Sequence, residues 1–490
     1  MQKKELCFLA CSALLLSSPA AAQEMPAGTI LQARLSGATG SHISHRGDLV
    51  EATIIAPVSM DGRILVPQGS KLLGSIVNAT ALGFGLKHTT ASIAYDFHTL
   101  ELPDGAAIAV NTQLVEVDTA KELVDDFGTV HGIHPVVSLA SSLAFYTVPL
   151  LLVEPEFGVP ILGMKALIAP SANPEISFPR GTELSLRLIS PVTLPASEPD
   201  VLVPTESLSR TDLNDVADLL KNSAQRAYLG NRPSDLVNVL LIGTRSQMDR
   251  AFHASGWSLA QRKSPVSLYR MYHALTKRRG YPKAPMNALT LNGEPSAFVR
   301  QKSLDTVQKR HHVRLWQVPE QPNIWIGAAA EDDGFRFELT HWTHSTDPNI
   351  DSERAKVVND LAFTGCVNAA GLLSRSSADL AQDPKEEHII LTDGDVAVIR
   401  LNDCMDPKLM AGVGEVSALP QHGRVTRTLS AFRDDLARSN MFSTTYNTVR
   451  LIAKRKAEPA TINPRSDADP RGLAWLTPNS ALAVAPPLKP

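Results

Sequence analysis

The chain has 490 residues, 43% of them hydrophobic and 20% charged, ordinary globular material long enough for roughly two to four domains. A formal net charge of -3 and a pI near 6.5 supply no global basic field, which excludes nucleic acid as an organising partner and general electrostatic attraction to an anionic membrane.

The N-terminus carries Lys3 and Lys4, an apolar run from Leu6 to Leu16, and then the small residues Ser17, Ser18, Pro19, Ala20, Ala21 and Ala22. That order predicts a signal peptide over residues 1–22 and a mature chain beginning near Gln23. A lipoprotein signal ending at Cys11 is the alternative, with little apolar sequence ahead of the cysteine. After cleavage only Cys366 and Cys404 remain. In an oxidising compartment they can pair, closing a loop of about 38 residues worth roughly 3–4 kcal/mol; the other reading is two separate buried thiols.

From Met25 the sequence reads as short strands rich in branched residues: 26–35, 49–55, 64–67, 71–77, 91–97 and 107–114. Pro103-Asp104-Gly105 predicts a hairpin, because proline presets the first turn dihedral and glycine accepts a positive φ. Three segments repeat one pattern: Pro26-Ala27-Gly28-Thr29, Pro67-Gln68-Gly69-Ser70 and Pro179-Arg180-Gly181-Thr182, each a turn launching a strand. The third copy extends the expected all-β sandwich or small barrel across 23–195, with an apolar helical insert at about 130–170. Within the insert, 136–153 carries no charge; its eighteen residues are at the short limit for a membrane span, so membrane association through it is the open alternative to a packed helix.

Residues 196–230 read as a linker and a helix, the helix over 213–229. An α+β domain is then expected over 231–456. Its predicted elements include a strand at 236–242, helices at 246–255 and 266–279, and strands at 288–291, 298–302, 311–318, 324–329 and 335–339. Asp333-Gly334 is read as a hairpin turn and 352–363 as a helix capped by Asp351. The proline- and alanine-rich 457–490 reads as a disordered tail.

Several motifs resemble the LssY C-terminal domain family, in family order over about 233–370: Pro233 to Gly243, Ala251 to Trp257, Tyr281 to Pro285, Arg310 to Trp316, Trp325 to Ala329 and His341 to Arg354. The N-terminal half, including Glu116-Val117-Asp118-Thr119-Ala120-Lys121-Glu122, resembles the exported β-rich region that accompanies this domain in some bacterial proteins, and is distantly similar to the β-barrel of conjugation-channel proteins. The family takes its name from a proposed secretion-system component, so the resemblance implies an envelope setting without fixing a reaction.

The densest polar cluster is Arg310, His311, His312, Arg314 and Trp316 with His341, His344 and Asp347. Strand alternation puts Arg310, His312, Arg314 and Trp316 on one face and His311, Val313 and Leu315 on the other, which makes His312 the expected exposed partner. One reading places zinc on His312, His341 and His344, with Asp351 or Glu353 as general base and the arginines gripping an anion. A second is an anion or glycan binding site, and a third is a buried hydrogen-bond network. The expectation is an exported bacterial protein of the periplasm or outer membrane with a structural or binding role and envelope or secretion-system partners. The alternative is a metal-dependent hydrolase of a phosphorylated or acylated envelope component.

Overall fold

The computed structural model describes residues 23–60, 63–82, 90–119, 121–133, 173–194, 208–278, 280–302, 309–338, 341–375 and 390–404. The expected signal peptide, the apolar stretch 136–153 and the tail lie outside these residues. Among the described residues, no helix is long and apolar enough to cross a membrane.

The N-terminal half is a nine-stranded, nearly closed barrel-like sheet. Its strands are β1 (Ile30–Leu35), β2 (Leu49–Ile54), β3 (Lys71–Thr80), β4 (Ser92–Glu101), β5 (Ala107–Ala109), β6 (Thr112–Val117), β7 (Leu123–Val124), β8 (Thr129–His131) and β9 (Glu183–Leu188). The order runs β6-β9-β1-β2-β3-β4-β8-β7, with β5 hydrogen-bonded to β4. Period-two alternation fills the interior with Leu31, Ala33, Ile54, Leu72, Ile76, Phe97, Leu114 and Leu186, all buried. The Pro103-Asp104-Gly105 segment turns β4 into β5, with the Leu102 amide bonded to the Ala106 carbonyl.

The three repeated turns are the same device. In each, the hydroxyl of Thr29, Ser70 or Thr182 donates at 2.8 Å to the carbonyl of the proline three residues earlier. Gly28, Gly69 and Gly181 all sit near φ +90°, where a side chain would be strained. Their amides bond across to Leu188, Ile54 and Leu35, so each turn fixes the register of the strand it launches.

The C-terminal half is built on a mixed sheet of β10 (Val239–Ile242), β11 (Ser258–Leu259), β12 (Phe298–Lys302), β13 (Lys309–Val318), β14 (Gln321–Glu338), β15 (His341–Thr346), β16 (Val367–Leu373) and β17 (Val396–Leu401). The order is β11-β12-β13-β14-β10-β17-β16, with β15 on β14 and one parallel pair, β10 with β17. One face packs on Leu208, a helix α1 (Arg210–Asn222) and the strands near Ala227 and Leu291. The other packs on α2 (Arg245–Ala254) and α4 (Ile350–Phe363), through Met248, Phe252, Val357, Val358 and Leu361. Helix α3 (Pro265–Lys277) starts at a Ser264 capping box.

Three expectations need correction. The helix predicted over 213–229 ends at Asn222, and Arg226–Leu229 is a strand, because Tyr228 and Leu229 pair with Pro233 and Arg232. Asp333-Gly334 is not a turn: β14 runs through it, and the register shifts between Asp332 and Gly334 as a bulge. The cap of α4 is Asn349, whose side chain accepts from the Ser352 amide, not Asp351.

Cys366 and Cys404 form a disulfide, linking the exits of α4 and β17 across a sequence separation of 38. Replacing both with serine is expected to lower unfolding stability by about 3–4 kcal/mol, read as a shifted denaturant midpoint that reductant reproduces in the parent chain.

Candidate functional site

Helix α4 is buried along most of its length, on its polar as well as its apolar positions. Its apolar stripe, Val357, Val358 and Leu361, faces the sheet, yet Glu353, Asn359 and Asp360 are buried as well. The polar stripe at 353, 356 and 360 recurs every three to four residues and so lies along one side of the helix. That side meets the barrel.

The meeting surface is a seam of charges. Glu183, first residue of β9, pairs across the strands with Arg34 of β1 at 2.6 Å and also receives Lys302 of β12 and Lys356 of α4. Asp360 accepts from Lys302 at 3.0 Å, from Arg34 at 3.4 Å and from the Trp257 indole at 2.8 Å. The Arg34 guanidinium lies 5.8 Å over the ring of Phe363. Gln68, inside the second repeated turn, donates to the Asn359 carbonyl at 3.2 Å. Barrel and C-terminal sheet are thus joined by buried ion pairs rather than by apolar packing alone.

Beside the seam lies a cavity of about 60 Å³, lined by residues of both halves, among them Glu116, Asp118, Lys309, His311, Glu331 and Glu353. Its size suits an ion and a few waters rather than a bulky organic ligand. His311 and Glu331 are directly opposite on β13 and β14. The Nδ1 atom of His311 lies 2.7 Å from Glu353 Oε2 and 4.0 Å from Glu331 Oε2, and Nε2 lies 3.5 Å from Asp118 Oδ2. Asp118 is held in place by its own amide, bonded to the Glu183 carbonyl. At the cavity edge Lys309 pairs with Glu116 at 3.1 Å, and both keep partial exposure.

The electrostatics follow from this crowding. Burial disfavours the imidazolium of His311, but Glu353, Asp118 and Glu331 outweigh it and hold its pKa well above the ordinary histidine range. Burial pushes the Glu353 carboxyl up. Burial also penalises the Glu183 carboxylate, yet Lys302, Lys356 and Arg34 hold it well below the usual carboxylate range. Stability contributed by a depressed carboxylate is complete above the unfolded value, near pH 4.5, and is lost as pH falls toward the folded one. Unfolding stability measured against pH is therefore expected to fall off below about pH 4.5, with a flatter acid limb in Glu183→Gln.

The predicted cluster divides between the two faces of the sheet. Alternation is as expected, with Val313 and Leu315 against α4 and Trp316 in the opposite layer, but His312 is only 2% exposed. Both faces are covered, so alternation selects a layer and not solvent. On the far face Arg310 pairs with Asp332 at 2.7 Å, Arg314 pairs with Asp235, and His312 Nε2 lies 3.4 Å from Asp235. The arginines are therefore taken up by carboxylates. Asp347 accepts from the Asn349 amide at 2.9 Å, shaping the entry to α4. Asp351 accepts from the Thr392 hydroxyl and the Asp393 amide, and Arg354 clamps Asp393 with two bonds of 2.7 Å.

The backbone does not bring the proposed zinc set together. His312 stands opposite Ala330, whereas His344 and His341 stand opposite Phe335 and Glu338. At about 3.3 Å per residue these lie roughly 16 and 26 Å further along β14. The group that converges among the described residues is His311, Glu331 and Glu353, whose ligand atoms all lie within 4.8 Å of one another. Of these, Glu331 lies outside the residues to which the sequence points, as do Asp118, Glu183, Lys302 and Lys356. A signal existed for two of them: Asp118 lies within the Glu116–Glu122 resemblance, and Glu183 follows the third Pro-Gly turn directly.

Residues 221–396 match the LssY C-terminus family, a span holding His311, Glu331 and Glu353 but not Asp118 or Glu183. Among solved structures, ComB10 of the Com type IV secretion system of Helicobacter pylori is similar at 17% identity over 35% of this chain and 90% of that chain. Its TM-score is 0.21, too low to carry an argument. No curated protein matches the chain.

Proposed function

We propose that this is an exported protein of the bacterial envelope with a binding role, in which the barrel and the LssY C-terminus region work as one unit around the cavity at their seam. The observation that carries the reading is the shared cavity itself, to which the barrel contributes Glu116, Asp118 and Glu183 and the C-terminal region Lys309, His311, Glu331, Glu353 and Lys356. Export is supported by the N-terminal lysines, apolar run and small residues, and by the Cys366–Cys404 disulfide, which belongs in an oxidising compartment. Partners in envelope or secretion assemblies are part of this proposal.

Two measurements test it. Fractionation with N-terminal sequencing is expected to find the chain in the periplasmic or outer-membrane fraction, starting at Gln23; an uncleaved chain in the cytoplasm sinks the export half. Hydrogen exchange is expected to show α4 and β9 losing protection together in Glu183→Gln, whereas independent behaviour of the two elements refutes the single unit. The hydrolase alternative passes from His312, His341 and His344 to the converging group His311, Glu331 and Glu353, and needs turnover of a phosphate or acyl ester by the metal-loaded protein.

A further inference from the structure

We propose that the seam cavity is a binding site for one divalent transition-metal cation, held by His311 Nδ1, Glu331 and Glu353 and oriented by Asp118. The inference deepens the binding role above by naming its ligand, and rests on it. Three observations converge. The ligand atoms come from a cross-strand pair and from the facing helix, and all lie within 4.8 Å of one another. A cation about 2.1 Å from each needs them no more than about 4.2 Å apart, so shifts below 1 Å close the set.

The second observation is Glu353 itself. It is 3% exposed and lines the cavity, and its Oε1 is buried with no hydrogen-bond partner among the described residues. An unsatisfied buried carboxylate oxygen is costly unless something positive meets it. A cation in the cavity supplies that partner.

The third is the far side of the imidazole. Asp118 Oδ2 stands 3.5 Å from Nε2, on the opposite ring nitrogen from the two glutamates. A carboxylate there favours a proton on Nε2, so a cation displaces only the Nδ1 proton now shared with Glu353, in the outer-shell arrangement usual for a ligating histidine. Because Asp118 belongs to the barrel and the ligands to the C-terminal region, cation binding and domain docking are coupled. One imidazole and two carboxylates suit zinc, cobalt or manganese better than the all-oxygen preference of calcium or magnesium.

The test uses the full mature chain, stripped by chelator and titrated with Zn2+ and Co2+ by calorimetry, with the visible Co2+ spectrum as a second readout. One equivalent per chain is expected, with nitrogen and oxygen ligation in the spectrum and no displacement by equimolar Ca2+ or Mg2+. His311→Ala and Glu331→Gln are expected to weaken binding more than tenfold, and His312→Ala to leave it unchanged. Asp118→Asn, which keeps all three ligands, is expected to weaken it by about 10- to 100-fold, and serves if the ligand variants fail to fold. No binding near one equivalent, or binding indifferent to His311, Glu331 and Asp118, overturns the site. If the cation fails while Glu183→Gln still loosens α4 and β9 together, the cation falls and the single unit stands. If α4 and β9 exchange independently, the unit falls.

Discussion

Glu183→Ala is expected to lower unfolding stability by about 3–5 kcal/mol, the usual cost of removing one partner from a buried ion pair. Glu183 is 5% exposed and receives Arg34, Lys302 and Lys356 together. Without it, the buried cations Arg34 and Lys302 keep Asp360 as their shared carboxylate. Lys302 yields first: burial already lowers its pKa, and the neighbouring Arg34 charge adds to that. Chemical denaturation measures the loss. Adding Lys302→Met to Glu183→Ala is expected to recover part of it, because the double change removes one of the two buried cations left to share Asp360. Equal loss in single and double variants refutes the account.

Trp257→Ala is expected to cost a similar 3–5 kcal/mol, for a different reason. The indole is 2% exposed and packs edge-on against Phe252 at 5.8 Å, filling space between α2 and α4. Its Nε1 also donates to Asp360, the acid at the bottom of the seam. Trp257→Phe keeps most of the ring volume and drops the donor, so its expected cost is about 1–2 kcal/mol. Circular dichroism during urea unfolding separates the two. A phenylalanine variant as damaged as the alanine one means that the hydrogen bond, not the volume, dominates.

Much of the fold is legible in the sequence because it is written locally. Pro-Gly turns, the 298–302 strand and the helix through 352–363 each depend on neighbours within a few residues, and each forms where expected. The misreadings share another origin. Asp333-Gly334 has the composition of a turn, but β15 pairs along the far end of β14, and those hydrogen bonds keep the strand going. The sequence makes His312 the exposed partner because alternation says which side a residue takes, while only the layers on each side decide exposure.

The seam was the least legible part. Glu183, Lys356 and Asp360 carry no local sign of burial, since a polar stripe on a helix normally faces water. Here it faces another domain, and nothing in the helix says so. Arg34 and Glu183 are 149 residues apart and adjacent only through the strand pairing. Strand alternation sets His311 on the opposite face from His312, but it does not say that this face meets α4 and the barrel, where Glu331, Glu353 and Asp118 wait.

The position of β9 also sets an order of events during synthesis. This strand inserts between β6 and β1, so Leu31 acquires its partner Leu186 only after the intervening chain has emerged. Whether the chain leaves a ribosome or a translocation pore, it does so N-terminus first, and until residue 188 appears one edge of β1 stays open. Such an edge is a template for pairing with other chains, and long-range closure of this kind is slow. The same late strand brings Glu183, so the last strand of the nearly closed sheet and the anchoring acid for α4 arrive in one step. Folding of the C-terminal half onto the barrel thus waits for that strand, and the vulnerable interval belongs to nascent chains rather than to the finished molecule.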